Sequence, residues 1–183
     1  MNFIQFINLT SADLRRLENF SSNGARVRFW VVVSPKFLPV LIVRLAQYFY
    51  SKNFFRFLSF ILMRINLFVF GIEFTPRCKV GPGLMLPHTV GTVVGAFELG
   101  ENVTIFQGVT IGASHLDFKF DKKLRPKIGS NVTIGAGAKI LGGVAIRNWT
   151  VIGANAVVLD STPSNSLVAG VPARVVKLYD SNA

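Results

Sequence analysis

The chain has 183 residues, about the size of one domain or of one domain with an appendage. Half of the residues are hydrophobic and 16% are charged, which excludes a disordered chain, and the single cysteine, Cys78, excludes a disulfide scaffold or a cysteine-based zinc site. Twenty basic and nine acidic residues give a net charge of +11, which calls for an anionic partner: nucleic acid, anionic lipid or a phosphorylated small molecule.

Residues 1–71 are predicted to form a helical segment. A short helix is expected over residues 10–19, with its start signal at Thr10, and a second over residues 39–50. A third is expected to begin after Asn53, as its N-cap, and to end before Gly71. The beginning of the chain lacks the pattern of a secretory signal peptide, so a cytoplasmic location is expected.

The second and third helices are strongly apolar, with only a narrow polar stripe on each. They are shorter than the roughly 20 apolar residues of a membrane span and carry arginine near their middles, so spanning is rejected. Two interpretations remain. The helices pack on each other and on subunit neighbours, or residues 37–70 contact the inner membrane peripherally, with Lys52, Arg56 and Arg64 near anionic headgroups. The stripes are Arg44, Gln47 and Ser51 on one helix, and Arg56, Ser59 and Asn66 on the other; Arg64 lies off the stripe.

A six-residue period fills the second half of the chain. Neither a helix nor a simple strand has this period, but a parallel β-helix does, because each hexapeptide forms one side of a triangular prism and every sixth side chain points inward. Residues 72–183 are therefore predicted to be an all-β parallel solenoid. The inward series is Val80, Leu86, Val93, Leu99, Ile105 and Ile111, then Ile128, Ile134, Ile140, Ile146, Ile152 and Val158, with one seven-residue step after Leu86.

One interruption breaks the period. Seventeen residues separate Ile111 from Ile128 where six would continue the coil, so an excursion loop is predicted over residues 113–127. Solenoids place such insertions on a functional face.

Five segments carry a family resemblance. They are KVGPGLMLPHTVGTVVG, IFQGVTIG, RPKIGSNVTIGAGAKILGGVAI, VIGANAVVLDSTP and AGVPARVV. They resemble the hexapeptide-repeat acyltransferases, and most closely the serine acetyltransferase branch, over residues 72–177. The resemblance implies a left-handed β-helix, a homotrimer with active sites between subunits, acetyl-CoA as co-substrate, a CoA-binding tail at the end of the chain and no metal.

The resemblance also implies the catalytic residues. His88 matches the histidine that removes the acceptor hydroxyl proton and later returns it to the CoA thiolate. Glu73 matches an acidic position, normally aspartate, that orients this histidine. Gly112 matches a glycine whose N–H stabilises the developing oxyanion.

A further set is implied for the cofactor. Small residues would let the pantetheine arm approach the backbone, while Lys139, Arg174 and Lys177 would contact phosphates. The set is Ala113, Gly135, Ala136, Lys139, Ala154, Gly170, Pro172, Arg174 and Lys177.

The acceptor prediction depends on two departures from the serine acetyltransferase pattern. Pro87 replaces an aspartate before the catalytic histidine, and Leu124-Arg125 replaces Arg-His in the loop. We interpret these changes as loss of amino-acid recognition. The favoured hypothesis is therefore O-acetylation of a sugar hydroxyl in a capsular, colanic-acid-type or other bacterial exopolysaccharide or its precursor. The short apolar helical N-terminal segment and Glu73 also resemble the O-acetyltransferases of that branch. The predicted acceptor contacts are His115, Asp117, Phe118 and Arg125, with Phe120 beside them.

Three other functions are considered. The first is another enzyme, a serine O-acetyltransferase of cysteine biosynthesis. The second is a β-helical scaffold without catalytic activity. Nucleic-acid binding is disfavoured, because the basic residues are dispersed and no recognised binding motif occurs.

Overall fold

The computed structural model describes residues 1–20 and 34–180; residues 181–183, the end of the predicted β-helix, lie outside the described part. Within it, all the helices precede all the strands. The helices are α1 (Phe3–Phe20), α2 (Leu38–Tyr50), a 3-10 turn (Asn53–Phe55) and α3 (Arg56–Phe70).

Two helix starts differ from the prediction. Helix α1 begins seven residues before Thr10, because Asn2 and Gln5 exchange side-chain to backbone hydrogen bonds of 2.8 and 3.0 Å, a reciprocal cap of the first turn. Asn53 does not cap α3: it starts the 3-10 turn, and its amide oxygen accepts a bond from Arg56. The end of α3 is as expected, with Gly71 left-handed at φ 66°.

Short strands wind the rest of the chain into a triangular prism, the left-handed parallel β-helix. Three sheets form its sides, in the orders β1-β3-β6-β9-β12, β2-β4-β7-β10 and β5-β8-β11-β13-β14, and every pairing is parallel except β13 with β14. The strands are β1 (Ile72–Phe74), β2 (Lys79–Val80), β3 (Thr92–Val94), β4 (Glu98–Leu99), β5 (Thr104–Ile105), β6 (Thr110–Gly112), β7 (Lys127–Ile128), β8 (Thr133–Ile134), β9 (Lys139–Leu141), β10 (Ala145–Ile146), β11 (Val151–Ile152), β12 (Val157–Val158), β13 (Ser166–Gly170) and β14 (Ala173–Leu178).

Aliphatic side chains stack in columns inside the prism, as the six-residue period predicts. One predicted member is wrong: Val93 points outward, and Val94, 1% exposed, takes the inward place in register with Ile111. Leu86 and Val94 are therefore eight positions apart, so the corner between them is two residues longer than a regular one. His88 lies in that enlarged corner.

The same corner recurs in every coil. We call it the histidine corner, comprising residues 87–91, 106–108, 135–137 and 153–155. Backbone hydrogen bonds of 2.8–3.0 Å join successive levels, from Gly108 to Val90 and from Asn155 to Ala136, for example. A left-handed residue occupies each level, which glycine tolerates best; these residues are Gly91, Gly108, Gly137 and Asn155.

The helices cover the open first coil of the prism. Arg44 is completely buried and donates to both carboxylate oxygens of Asp13, at 2.7 and 3.0 Å, and to the carbonyls of Val80 and Gly81. Asp13 also accepts from the Leu84 N–H at 2.8 Å. These bonds satisfy backbone groups that would otherwise form an open sheet edge. Gln47 also donates to the Cys78 carbonyl at 2.7 Å, so Arg44 and Gln47 of the polar stripe face the β-helix, whereas Ser51 is exposed.

Candidate active site

A pocket of about 850 Å³ lies on the outer face of the β1-β3-β6 sheet. Helix α3 forms one wall and the excursion loop another. From α3 it receives Phe60, Met63, Arg64 and Leu67; from the sheet and its turns Glu73, Arg77, Gly95, Gly112 and Ala113; and from the loop Asp117, Phe118, Phe120 and Arg125.

Glu73 points into this pocket because of strand alternation. Its neighbours in β1, Ile72 and Phe74, are buried in the prism, so the exposed Glu73 projects from the opposite face. Residues on neighbouring strands continue this outward row in register. In order they are Glu73, Val93, Thr110, Lys139 and Val157.

His88 is exposed on the first level of the histidine corner, close in the fold to Glu73. The Thr89 hydroxyl donates to the Phe70 carbonyl at 2.7 Å, and the Gly91 N–H donates to the Gly71 carbonyl at 2.9 Å. These bonds fix the corner beside the start of β1. His88 is nevertheless not among the residues that line the pocket, and no hydrogen bond joins it to Glu73 in the described part of the chain. Of the three predicted catalytic residues, Glu73 and Gly112 line the pocket and His88 does not.

Gly112 and Gly135 lack side chains for different physical reasons. A Cβ at Gly135 would lie 2.7 Å from the Ala154 nitrogen, so the stacking of coils alone requires this glycine. A Cβ at Gly112 would meet no atom within 4 Å. Packing therefore does not explain Gly112, whereas a bound ligand would occupy the open space in front of it.

Several predicted cofactor residues lie along the histidine corner, on successive levels below His88. The N–H of Asn155, which follows Ala154, donates to the Ala136 carbonyl at 2.8 Å, and Ala113 lies apart, in the pocket. The small side chains leave this edge of the prism narrow. Gly170 and Pro172 form the turn between β13 and β14, next to the last level.

The three predicted phosphate contacts differ in availability. The Lys139 ammonium group donates to the Gly108 carbonyl at 2.5 Å, which leaves two of its three N–H donors for an anion, so its phosphate contact stays a prediction. Arg174 is exposed and forms an exposed ion pair with Asp160, with 3.5 Å between its guanidinium nitrogen and the carboxylate oxygen. The Lys177 ammonium group lies over the Tyr179 ring. Both are therefore accessible to an anion.

Arg125 organises the excursion loop. Its guanidinium donates to the Asp117 carboxylate at 2.7 Å, to the Asp117 carbonyl at 2.9 Å and to the Gly95 carbonyl at 2.8 Å, and it lies 4.2 Å from the Phe120 ring centre. Desolvation opposes ionisation of Asp117, but bonds from the Asp121 N–H and from Arg125 outweigh it and lower the pKa of Asp117. Arg125 and Asp117 are paired with each other, whereas His115 and Phe118 are exposed, and an acceptor contact by any of the four stays a prediction.

Two pocket residues were not singled out as acceptor contacts in the sequence. Arg64 and Arg77 are exposed, and neither forms an ion pair with a described residue. Arg77 instead lies 5.8 Å from the Phe120 ring centre. The position of Arg64 off the polar stripe of α3 was a usable signal, because a charge outside the stripe needs a different environment.

This prism, with its repeat, its pocket and its inserted loop, is that of a hexapeptide-repeat acyltransferase. The pattern described as "Bacterial transferase hexapeptide (six repeats)" matches residues 125–160. The serine acetyltransferase of Helicobacter pylori strain J99 is 37% identical over 147 residues, which cover 80% of this chain and 84% of the relative. The chain belongs to the serine acetyltransferase family, and it is an acyltransferase that uses acetyl-CoA.

Solved structures agree with this assignment. The serine acetyltransferase of Neisseria gonorrhoeae in complex with serine superposes with a TM-score of 0.83 at 30% identity, over 96% of this chain and 70% of that one. The serine acetyltransferase of Brucella abortus strain S19 in complex with coenzyme A gives 0.85 at 30% identity, over 97% and 70%.

These comparisons overturn the favoured acceptor hypothesis. The prediction of polysaccharide O-acetylation, including capsule synthesis, is wrong: the similar proteins are serine acetyltransferases, and the similarity extends through the helical segment that was assigned to the polysaccharide branch. The prediction gave too much weight to Pro87 and Leu124-Arg125. Substitutions at these two motif positions do not identify the acceptor, because other charged residues line the same pocket.

Proposed function

We propose that this chain is a serine O-acetyltransferase, which transfers the acetyl group of acetyl-CoA to the hydroxyl of serine and releases CoA. The observation that carries the proposal is the 37% identity with a serine acetyltransferase over 80% of the chain. The similar fold of a serine-bound homologue supports the same acceptor. The product supplies an activated three-carbon amino acid to a reaction that replaces acetate, which fits cysteine biosynthesis in the cytoplasm.

The proposed chemistry is direct transfer. His88 accepts the proton of the serine hydroxyl while the oxygen forms a bond to the thioester carbonyl carbon. The Gly112 N–H stabilises the negative charge that develops on the carbonyl oxygen. As the intermediate collapses, the carbon–sulfur bond breaks and His88 returns the proton to the CoA thiolate. Glu73 orients the imidazole and stabilises its protonated form.

The proposed active unit is a homotrimer with sites between subunits. Its support is that His88 lies outside the pocket that holds Glu73 and Gly112. A neighbouring subunit against the histidine corner would complete the site, with CoA along the small residues Ala136 and Ala154. Arg174 and Lys177, both exposed, are proposed to contact the CoA phosphates.

The proposed function predicts serine-dependent release of CoA. With purified enzyme and acetyl-CoA, thiol release is expected to rise in proportion to serine at low concentrations and to saturate. Release that is unchanged by serine would contradict the proposal. Threonine is a matched comparison, because its added methyl group tests the fit of the acceptor site without changing its charges.

The serine carboxylate is proposed to bind Arg77. Arg125 is occupied by Asp117 and Gly95, whereas Arg77 lines the same pocket without an ion pair in the described part. We expect Arg77→Gln to raise the KM for serine by about 10- to 100-fold, the loss of one charge-assisted contact, with a smaller change in kcat. Steady-state kinetics at saturating acetyl-CoA measure this split. Arg147→Gln, on the exposed far surface, is the matched control; an equal KM in the two variants would remove Arg77 from the site.

A further inference from the structure

The outer face of α3 is an unusually apolar exposed surface. Its members recur at spacings of three and four, so they share one side of the helix. The set, which we call the α3 outer face, is Phe57, Phe60, Ile61, Ile65, Phe68 and Val69, with exposed fractions from 43% to 82%. Phe54 in the preceding turn adds a side chain that is 83% exposed.

Packing within the chain does not account for this face. Helix α3 contacts α2 through its opposite side, where Ser59, Met63 and Asn66 are buried. Only 11% of the segment Asn53–Phe70 is buried, and its mean hydropathy is 1.5. Contiguous apolar patches of this extent are rare on soluble monomers and mark an interaction surface.

The charges around the face indicate the chemistry of its partner. Residues 19–72 contain seven basic residues and no acidic one. Three of the basic residues, Lys52, Arg56 and Arg64, are exposed on or beside the α3 outer face. Two copies of this face in mutual contact would oppose cations to cations, because α3 itself carries no carboxylate. An anionic partner satisfies both the apolar and the charged parts of the surface.

We propose that the α3 outer face docks on an anionic lipid bilayer, with the helix in the plane of the interface. Its apolar side chains would enter the acyl boundary, and the three cations would contact lipid headgroups. The helix lies on the bilayer rather than across it. The 18-residue segment Asn53–Phe70 is long and apolar enough to cross a bilayer by length and composition, but two observations favour the interfacial orientation. Arg64 stands near its middle, and the opposite side is already packed on α2.

The docked face is continuous with the acetyl-transfer pocket. Phe60 and Arg64 belong to the α3 outer face or its edge and also line the pocket that contains Glu73. Docking would therefore place the pocket beside the membrane surface without requiring a lipid substrate. The proposed membrane docking does not depend on the identity of the acceptor. The vesicle-binding experiment therefore tests it whether or not the enzyme acetylates serine.

Vesicle sedimentation tests the docking with the intact chain. We expect the protein to sediment with vesicles of phosphatidylglycerol and phosphatidylcholine in equal amounts at low salt. It should remain in the supernatant with phosphatidylcholine alone, and high salt should release most of it because headgroup attraction is screened. Equal sedimentation with both vesicles, or none with either, would overturn the proposal. Retention after alkaline carbonate extraction would show a spanning segment and would overturn it as well.

Two pairs of variants separate the apolar and charged contributions. Ile61→Ser with Phe68→Ser should lower vesicle binding at least tenfold, while Leu159→Ser, at a site about as exposed as Ile61 and far along the prism, should not. Lys52→Gln with Arg56→Gln should lower binding by about fivefold for each cation removed, and Arg147→Gln should not. Thermal unfolding confirms that each variant is folded.

The competing occupant is a second copy of the chain. Sedimentation velocity without lipid measures the oligomer of the wild type and of the Ile61→Ser, Phe68→Ser variant. An unchanged oligomer in the variant supports the lipid assignment. An oligomer that dissociates in the variant would show that the α3 outer face is a subunit interface, and would overturn it.

Discussion

Replacing His88 with alanine is expected to lower kcat by about 10²- to 10⁴-fold, the contribution of a positioned general base. A serine hydroxyl is a weak nucleophile, and no other histidine except His115, on the excursion loop, occurs in the chain. His88 is exposed and makes no hydrogen bond to the described residues, so its removal should leave the free energy of unfolding nearly unchanged. Steady-state release of CoA and thermal unfolding of the same samples measure the two effects.

Glu73→Gln supplies a graded comparison for this result. Glutamine keeps the size and a hydrogen-bonding oxygen but loses the charge that stabilises the imidazolium. We expect a loss of more than tenfold in kcat, smaller than that of His88→Ala, with little change in stability because Glu73 is exposed. The double variant should be no slower than His88→Ala alone, since Glu73 acts through His88. Additive losses would show that Glu73 acts on the substrate directly.

The prism could be predicted from the sequence because one local rule generates it. Every sixth side chain points inward, and the registers of Ile111 with Ile140 and of Ile105 with Ile134 follow that rule. The rule fails at Val93 and Val94, where two adjacent aliphatic residues both fit the pattern. Only the backbone pairing of β3 with β6 identifies Val94 as the buried one. The error is informative, because the two extra residues enlarge the corner that carries His88.

The site was less predictable than the prism, because its contacts join distant parts of the chain. Glu73, His88 and Gly112 come from motifs, and a motif does not state which of them share a pocket. The Arg125 guanidinium bonds to Asp117 within the excursion loop and also to the Gly95 carbonyl, 30 residues away in the chain. The sequence alone predicts Arg125 as an acceptor contact. Its partners show why a substitution next to a motif does not by itself reveal the acceptor.

The contacts of the helical segment were also hard to predict from the sequence. The polar stripe containing Arg44 was visible in the sequence, but its partners are carbonyls of Val80 and Gly81, more than 30 residues away. Helical periodicity identifies a face and does not identify what covers it. By contrast, the bonds between Asn2 and Gln5 are local, and a capping pattern could have predicted the early start of α1.

Asp13→Ala is expected to destabilise the fold by about 3–5 kcal/mol, the usual cost of removing one partner of a buried ion pair. Arg44 would keep its charge at a site with no solvent exposure and lose two of its hydrogen bonds. The Leu84 N–H would lose its acceptor in the same change. Chemical denaturation at a fixed protein concentration measures the loss.

Asp160→Ala is the matched control, because it removes a carboxylate from an ion pair that is mostly exposed, with Arg174 at 3.5 Å. Exposed pairs contribute at most about 1 kcal/mol, so this variant should unfold almost as the wild type does. Combining Asp13→Leu with Arg44→Met should recover part of the Asp13→Ala loss, since no charge then remains buried. If Asp13→Ala costs no more than Asp160→Ala, the helices must be attached to the prism mainly by their apolar contacts. The buried pair would then serve to orient α1 and α2 over the first coil.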